Sequence, residues 1–535
     1  MKKAVLGSIL LAILHSILFY GQDLGINVLL FAIPVVFLLI AFLKKHNRIK
    51  HQEALYLSIP ILLLASTYLF FQNHFFTMMN MIAIPLLLGA MIVWASYDTF
   101  LLRNTIGKSI NLVVGSLEFI PDGISLLKQA LSIRKIQEKK ATSSQKVKMI
   151  LLGVLCSLPI LFIIIGLLTS ADGVFKEVFD TFFSKISFIF SRQMILSILG
   201  RIIVIVAVSV YLVCILYNII NKNSAFNKNH TAKSLFGIHV EDTIINTILT
   251  ILNFVYLIFS LVQLFYVYSY ITRQMPMTAT FNLAEYARQG FFQLMWVTFI
   301  NFIVILLTNS NHQKEELPSK NTYTKWMNVM MSLFTIVIAI SAFLRMYLYE
   351  REYGYTFLRL MVYFILATEI IMILPTIYYI IKGKMNLFKT YFIIATSMYL
   401  VVNFVNIDAL IARNNINRYI ASNLQNVDFD VRYLTNQLGT DAVGEMVRVY
   451  DILDKRENLN NNQEMVRQRL NSYLIKQKVQ LDNKTNLQEF NLARNHAKKE
   501  LEKVTLKQEE SDYYSYRNYY NQQNNSDSRS RTNHI

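Results

Sequence analysis

The stretch INVLLFAIPVVFLLIAFL, residues 26–43, followed at once by KKHNRIK, residues 44–50, decides the fold. Its 18 residues carry no charge. At about 1.5 Å of rise per residue they form a helix of roughly 27 Å, close to the hydrocarbon thickness of a bilayer. The basic cluster that follows, Lys44, Lys45, Arg48 and Lys50, marks the face on which positive charge is retained. The same apolar unit recurs along the chain, at 4–20, 26–43, 55–71, 76–95, 149–168, 196–219, 243–265, 290–307, 327–344, 355–379 and 388–404. Eleven such runs read as an all-α, polytopic transmembrane helix bundle.

The loops between the runs assign the two faces. With the N-terminus inside, 24 basic residues fall on the inner side and 8 on the outer, so the positive-inside rule orients the bundle N-in. Eleven crossings then leave the C-terminus outside, and the expected location is a multi-pass position in the cytoplasmic (plasma) membrane. A net charge of +18 would point to nucleic acid in a soluble chain. Here the excess sits beside helix ends, where anionic headgroups account for it, so the expected partner is the lipid bilayer and not nucleic acid. No small-residue cleavage site follows residues 1–20, and the first run reads as an uncleaved helix. The only cysteines, Cys156 and Cys214, lie within membrane runs, which excludes a disulfide framework or a zinc site.

The organisation read from these patterns is four helices in 1–96, a cytoplasmic amphipathic loop at 97–148, and a seven-helix region at 149–405. An extracytoplasmic helical module follows at 406–510, then a disordered tail at 511–535. Within the inner loop, helical spacing from Ile106 to Leu117 is expected to break at Pro121, Asp122 and Gly123, with a second helix from Ile124. That helix either rests on the inner leaflet or packs under the bundle. Residues 174–190 align Phe175, Phe179, Phe182 and Phe183 on one stripe, as an outer interfacial helix does. In the module three helices are legible: from Thr440 to Asp454, from Gln463 to Leu481, and from Leu487 to Val504. About 100 residues of this kind bury a small core, and the module offers a surface for another envelope protein.

Two groups of polar residues could carry chemistry. Glu369 is an acid near the middle of a span, where an ionised carboxylate costs about 2.5–3.5 kcal/mol. Asn253 and His15 fall at a similar distance from the inner ends of their own spans. A protonated acid hydrogen-bonded to a neighbouring helix accounts for Glu369 structurally, and a proton or cation relay accounts for it functionally. Near the outer boundary lie Arg201, Arg345 and Arg359, which either snorkel and pair with Glu350, Glu352 or Asp172, or together hold a phosphate or carboxylate. Five of the eight prolines, Pro34, Pro60, Pro85, Pro159 and Pro375, fall inside spans, where kinks are expected. No histidine pair has metal spacing, and there is neither a Gly-rich phosphate loop nor a Gly-x-Ser-x-Gly elbow. No cofactor is implied.

Several strings in constant order resemble an uncharacterised bacterial family of polytopic membrane proteins, a domain of unknown function of the 4173/4153 type. They are SADGVF (170–175), YARQGFFQL (286–294), RMYLY (345–349) with YGYTFLR (353–359), NIDALIAR (406–413), DVRYL (430–434) with DAV (441–443), and FNLAR (490–494). Ile407, Asn414 and Gly444 stand where that pattern has Pro, Tyr and Pro. The resemblance implies an integral protein of the bacterial envelope with no assigned substrate. Placed on the topology, these strings all fall at the outer boundary or in the outer module. Asp172, Arg288, Arg345, Arg359, Asp408 and Arg413, with Arg201, are therefore expected to form an outer charged network that ties the helix ends to the module.

Three functional classes follow. The first is a structural, sensing or interaction protein whose outer module is held on the bundle by that network. The second is a secondary transporter or permease using Glu369 beside Asn253 and the Pro375 kink. The third is a membrane enzyme that holds phosphate on the outer arginines, with Asp172 or Glu285 as acid or base.

Overall fold

The computed structural model describes residues 2–96, 112, 114–130, 192–220, 242–271, 291–310, 322–383, 385–425, 429–482 and 486–507. Among these residues every regular element is helical. The membrane helices are α1 (Lys2–Phe19), α2 (Ile26–Lys45), α3 (Ser58–Phe70), which continues a 3-10 turn over Gln52–Leu57, and α4 (His74–Ser96). A short helix α5 (Ile120–Ala130) is followed by α6 (Arg192–Ile220), α7 (Asp242–Ile271), α8 (Phe291–Ser310), α9 (Thr322–Tyr353), α10 (Phe357–Lys382) and α11 (Leu387–Phe404). Eight of the described helices are long and apolar enough to cross a bilayer, while the apolar parts of α1 and α8 are shorter. The protein is an all-α, multi-pass integral membrane protein. The expected span at 149–168, the outer helix at 174–190 and the tail at 511–535 lie outside the described residues, as does most of the inner loop.

In lipid, apolar contact gives helices little reason to associate, so close packing and interhelical hydrogen bonds do that work. Helix α9 carries Thr324, Asn328, Ser332, Thr335 and Ser341 on its buried side. Thr324 donates to Asn246 of α7 (2.6 Å), and Asn328 accepts from Thr308 of α8 (2.8 Å). Higher up, Tyr256 of α7 donates to Asn301 of α8 (2.6 Å), which donates in turn to Thr335 (3.1 Å). These residues join α7, α8 and α9 through the thickness of the bundle.

The loops separate onto two faces. On the basic face, the Lys50 and His51 amides donate to the Ala95 carbonyl at the end of α4, and the Arg48 guanidinium donates to Ile220 at the end of α6. Lys325 reaches the Ile381 carbonyl, and Lys389 pairs with Glu53 at 2.6 Å. The expected break at Pro121–Gly123 is corrected: α5 begins at Ile120 and runs through all three residues. Proline in a first helical turn forfeits no hydrogen bond, because the amide it lacks has no helical partner there. The preceding 3-10 turn, Gly115–Phe119, packs on α6, where Asn218 donates to Ser116 and the Cys214 thiol to the Phe119 carbonyl.

The opposite face carries a second unit of five helices: α12 (Ile407–Ala421), α13 (Val431–Gln437), α14 (Val443–Asp454), α15 (Asn461–Asp482) and α16 (Leu492–Leu501). The sequence reading found the last three and missed α12 and α13. Helix α12 follows the end of α11 after only Val405 and Asn406, and α13 has only 7 residues. The core of this module, built on Ile411, Leu434, Met446, Tyr450, Leu470 and Leu474, is continuous with Phe76 of α4 and Val402 of α11. Module and bundle thus share one packed interior.

Candidate functional site at the junction of bundle and module

The junction is built from three turns between membrane helices, each tied to the module. The central tie begins where α11 ends. Asn406 caps α12 by accepting from the Ala409 amide at 3.2 Å, and Asp408 lies in the first turn, where a helix N-terminus favours an acceptor. The Asp408 carboxylate is 3% exposed and uses both oxygens, Oδ1 accepting from the Asn73 side chain at 2.8 Å and Oδ2 from the Gly439 amide at 2.9 Å. Asn73 also accepts from the Phe76 amide at the start of α4, so one side chain both caps a membrane helix and holds the module. Beside it, Asp441 accepts from the Gln72 amide at 2.6 Å and from Asn406 at 3.3 Å.

Glycine is required where the two units meet. A Cβ on Gly439 would stand 2.5 Å from the Gln72 carbonyl, and one on Gly25 would stand 2.6 Å from the carbonyls of Glu489 and Phe490. Those are backbone atoms, which cannot move aside as a side chain can.

At the second tie, the turn 21–25 receives the segment leading into α16. The Ile26 amide donates to the Phe490 carbonyl at 2.9 Å, and the Asp23 amide to Glu489 at 3.2 Å. Asn491 donates to the carbonyls of Tyr68 (2.8 Å) and Phe71 (2.9 Å), which the end of α3 leaves without helical partners, while its oxygen caps α16. Arg494 spans the same gap to the Leu24 carbonyl. At the third tie, Asn415 exchanges two 2.8 Å hydrogen bonds with the backbone of Tyr355, and Arg418 donates to the carbonyls of Glu350, Arg351 and Glu352 at the end of α9. The Phe357 amide donates to the Tyr433 hydroxyl at 2.7 Å.

Burial sets the electrostatics of the junction. It pushes the Asp441 carboxyl up to about 6, opposed by its hydrogen bond from Gln72 and reinforced by the nearby Asp408 charge. Asp408 is raised for the same reason, with Gly439 and Asn73 pulling the other way. Burial lowers Arg494. Against Asp441 lies a cavity of about 20 Å³, room for one water molecule, with Thr67, Tyr68, Asn73, Thr77 and Asn406 in its wall. A buried polar cluster continues beneath it into the membrane. There Asn80 donates to Thr67 and to Asn403 (2.7 Å), and accepts from Tyr399 (2.7 Å).

Of the charged residues singled out from the sequence, Asp408 and Arg359 stand at this junction, and the quoted strings also supply Asn406, Tyr433, Asp441, Asn491 and Arg494. Asp172 and Arg288 lie outside the described residues, as does Glu285, and Arg413 is exposed. The other arginines have separate partners. Arg201 reaches the Ser16 carbonyl and stacks over Tyr20 at 4.9 Å, while Arg345 donates to Gln263 at 3.0 Å. Arg359 donates to the carbonyls of Tyr353 and Gly354 and lies 4.3 Å from the centre of the Tyr349 ring. None of the three meets Asp408, Glu350 or Glu352 in an ion pair among the described residues, and at the described junction asparagines and backbone groups make the ties. Arg418 and Arg494 are the arginines that bridge the units: Arg494, part of the quoted string 490–494, lies 3.9 Å from the Asp23 carboxylate and donates to the Leu24 carbonyl, while Arg418, which bonds only to carbonyls, was not singled out. Asparagines next to helix ends were the available signal.

The intramembrane trio does not converge. His15 packs between Phe19 and Phe31, Asn253 donates to the Met327 carbonyl at 3.0 Å, and Glu369 meets Thr298 at 2.7 Å. The Thr298 hydroxyl stands equally close to the Met295 carbonyl, also 2.7 Å. Its single hydrogen serves only one of them, so a Glu369 that carries its own proton satisfies both. Among the described residues no cluster of three His, Cys, Asp or Glu could hold a metal ion.

A family model described as Domain of unknown function (DUF4153) matches residues 58–449, a range that contains Asn73, Asp408, Gly439 and Asp441. No curated protein and no solved structure matches the chain.

Proposed function

The chain belongs to the family described as Domain of unknown function (DUF4153), and from that premise we propose that it is a non-enzymatic interaction or sensing protein of the cell envelope. Its membrane bundle presents a fixed helical module on the outer side of the cytoplasmic membrane. The observation that carries this reading is the Asp408 carboxylate, buried between Asn73 of the bundle and Gly439 of the module. Burying a carboxylate is costly unless its acceptors are used. A junction that satisfies both oxygens from two units holds those units in one register, and a load on the module is then passed to the ends of α3, α4, α9 and α11. The domain organisation expected from sequence, a bundle followed by a module from residue 406, is part of this reading.

A second reading, a carrier built around Glu369, draws support from the polar ladder that joins α7, α8 and α9. It ranks below the first because His15, Asn253 and Glu369 each have their own partners. One experiment separates the two: a photoreactive benzoylphenylalanine at Glu457 or Lys476, exposed positions of the module, in cells expressing the full chain. The interaction reading expects one discrete adduct shared by both positions. No adduct, together with solute flux in proteoliposomes that is lost in Glu369→Gln, favours the carrier.

A further inference from the structure

The module reads from sequence as an extracytoplasmic helical unit, and one of its segments is apolar, exposed and level with the membrane. Leu487 is 85% exposed, and Phe490 and Leu492, flanking the buried Asn491, are about 39% and 40% exposed. An isolated exposed leucine is ordinary on a soluble surface; three in six residues beside a membrane rim are a contiguous apolar edge.

The depth of that edge is fixed by hydrogen bonds. The Phe490 carbonyl accepts from the amide of Ile26, the first residue of the span Ile26–Lys45, and Asn491 binds Tyr68 and Phe71, at the end of the span Gln52–Phe70. The segment therefore lies at the level where two membrane helices begin and end. The surface beside it is already lipid-facing: Phe70 and Phe404 are 40% and 38% exposed, and their rings lie 6.4 Å apart at the same rim.

We propose that segment 486–492 is a lipid-contacting edge of the module, inserting Leu487, Phe490 and Leu492 into the headgroup–acyl boundary of the leaflet beside α2 and α3. The occupant is the bilayer, because the edge continues the lipid-facing surface of those helices. The module is thereby gripped twice, by its ties to the bundle and by the leaflet, and its posture becomes sensitive to lipid packing.

The test is the accessibility of a nitroxide at residue 487 in Leu487→Cys, on a full-length background carrying Cys156→Ser and Cys214→Ser, in vesicles of phosphatidylethanolamine and phosphatidylglycerol. A side chain this exposed makes few contacts, so the substitution leaves the fold intact. Phe37, 74% exposed in the middle of α2, serves as the lipid reference, and Glu457, beyond the far end of α14, as the aqueous one. The expected result is a ratio of collisions with oxygen to collisions with a water-soluble nickel chelate at least threefold higher at 487 than at 457, approaching the value at 37. A ratio at 487 equal to that at 457 would overturn the proposal.

Discussion

Asp408 and Asn73 stand 335 positions apart in the chain, and their side chains meet at 2.8 Å where the last membrane helix hands over to the module. Asp408→Ala strips the acceptor from two donors at once, the Asn73 amide and the Gly439 N–H, in a buried setting. Each stranded donor costs about 1–3 kcal/mol, so docking weakens by about 2–6 kcal/mol. The expected readout in detergent is faster proteolytic release of the module at unchanged bundle helicity. Asp408→Asn, which retains one acceptor, falls between the mutant and the natural protein.

Docking tightens in mild acid. Asp441 titrates near 3.8 when free and at about 6 in the junction. Between those values the docked state holds a proton that the undocked state has released, so docking is strongest below about 4 and weakens as pH rises through about 6. The urea midpoint for module release should therefore be higher at pH 5 than at pH 7.5, with most of the difference abolished in Asp441→Asn. Residual dependence in that variant reports Asp408, which burial raises as well.

Gly25→Ala introduces a methyl group 2.6 Å from two backbone carbonyls of the 489–490 segment. One of the two backbones must shift, and the Ile26 to Phe490 hydrogen bond goes with it. Hydrogen exchange should rise in 24–27 and 488–492 while α14, remote from the contact, stays protected. Unchanged exchange in both stretches would contradict a close approach of the two backbones.

The legible part of this protein was whatever depends on period and length. Helices such as α2 and α14 announce themselves through an uninterrupted apolar run or an apolar stripe, and the basic cluster after α2 marks its face. The pairings at the junction were not legible, because Asn73 and Asn491 act on partners more than 300 residues away and Arg418 on partners 66–68 residues away, many of them backbone groups with no residue signature. Arg345 and Arg359 lie close to the expected boundary and donate to Gln263 and to local carbonyls, which a guanidinium with five donors binds as readily as a carboxylate. Asp408, singled out for its charge, meets Asn73 and Gly439, and two of its expected partners, Asp172 and Arg288, lie outside the described residues.

Glu369→Gln tests the intramembrane acid separately. Glutamine keeps the size and a donor facing Thr298 while removing the titrating proton. A structural acid predicts expression and detergent melting within about 1 kcal/mol of the natural protein, and no change in proton or cation flux in proteoliposomes. Loss of a measurable flux with intact melting would move the carrier reading ahead of the one preferred here.

The central claim is that the module is held on the bundle as one body through Asp408. Its most direct measurement is the distance distribution between nitroxides at His74, on the bundle side of the junction, and Lys455, at the end of α14, recorded by pulsed dipolar spectroscopy on the Cys156→Ser, Cys214→Ser full-length chain in lipid nanodiscs at pH 5. A single narrow distance, broadened when Asp408→Ala is added, is the predicted result. A broad or multimodal distribution with Asp408 in place, unchanged by its removal, would contradict the account.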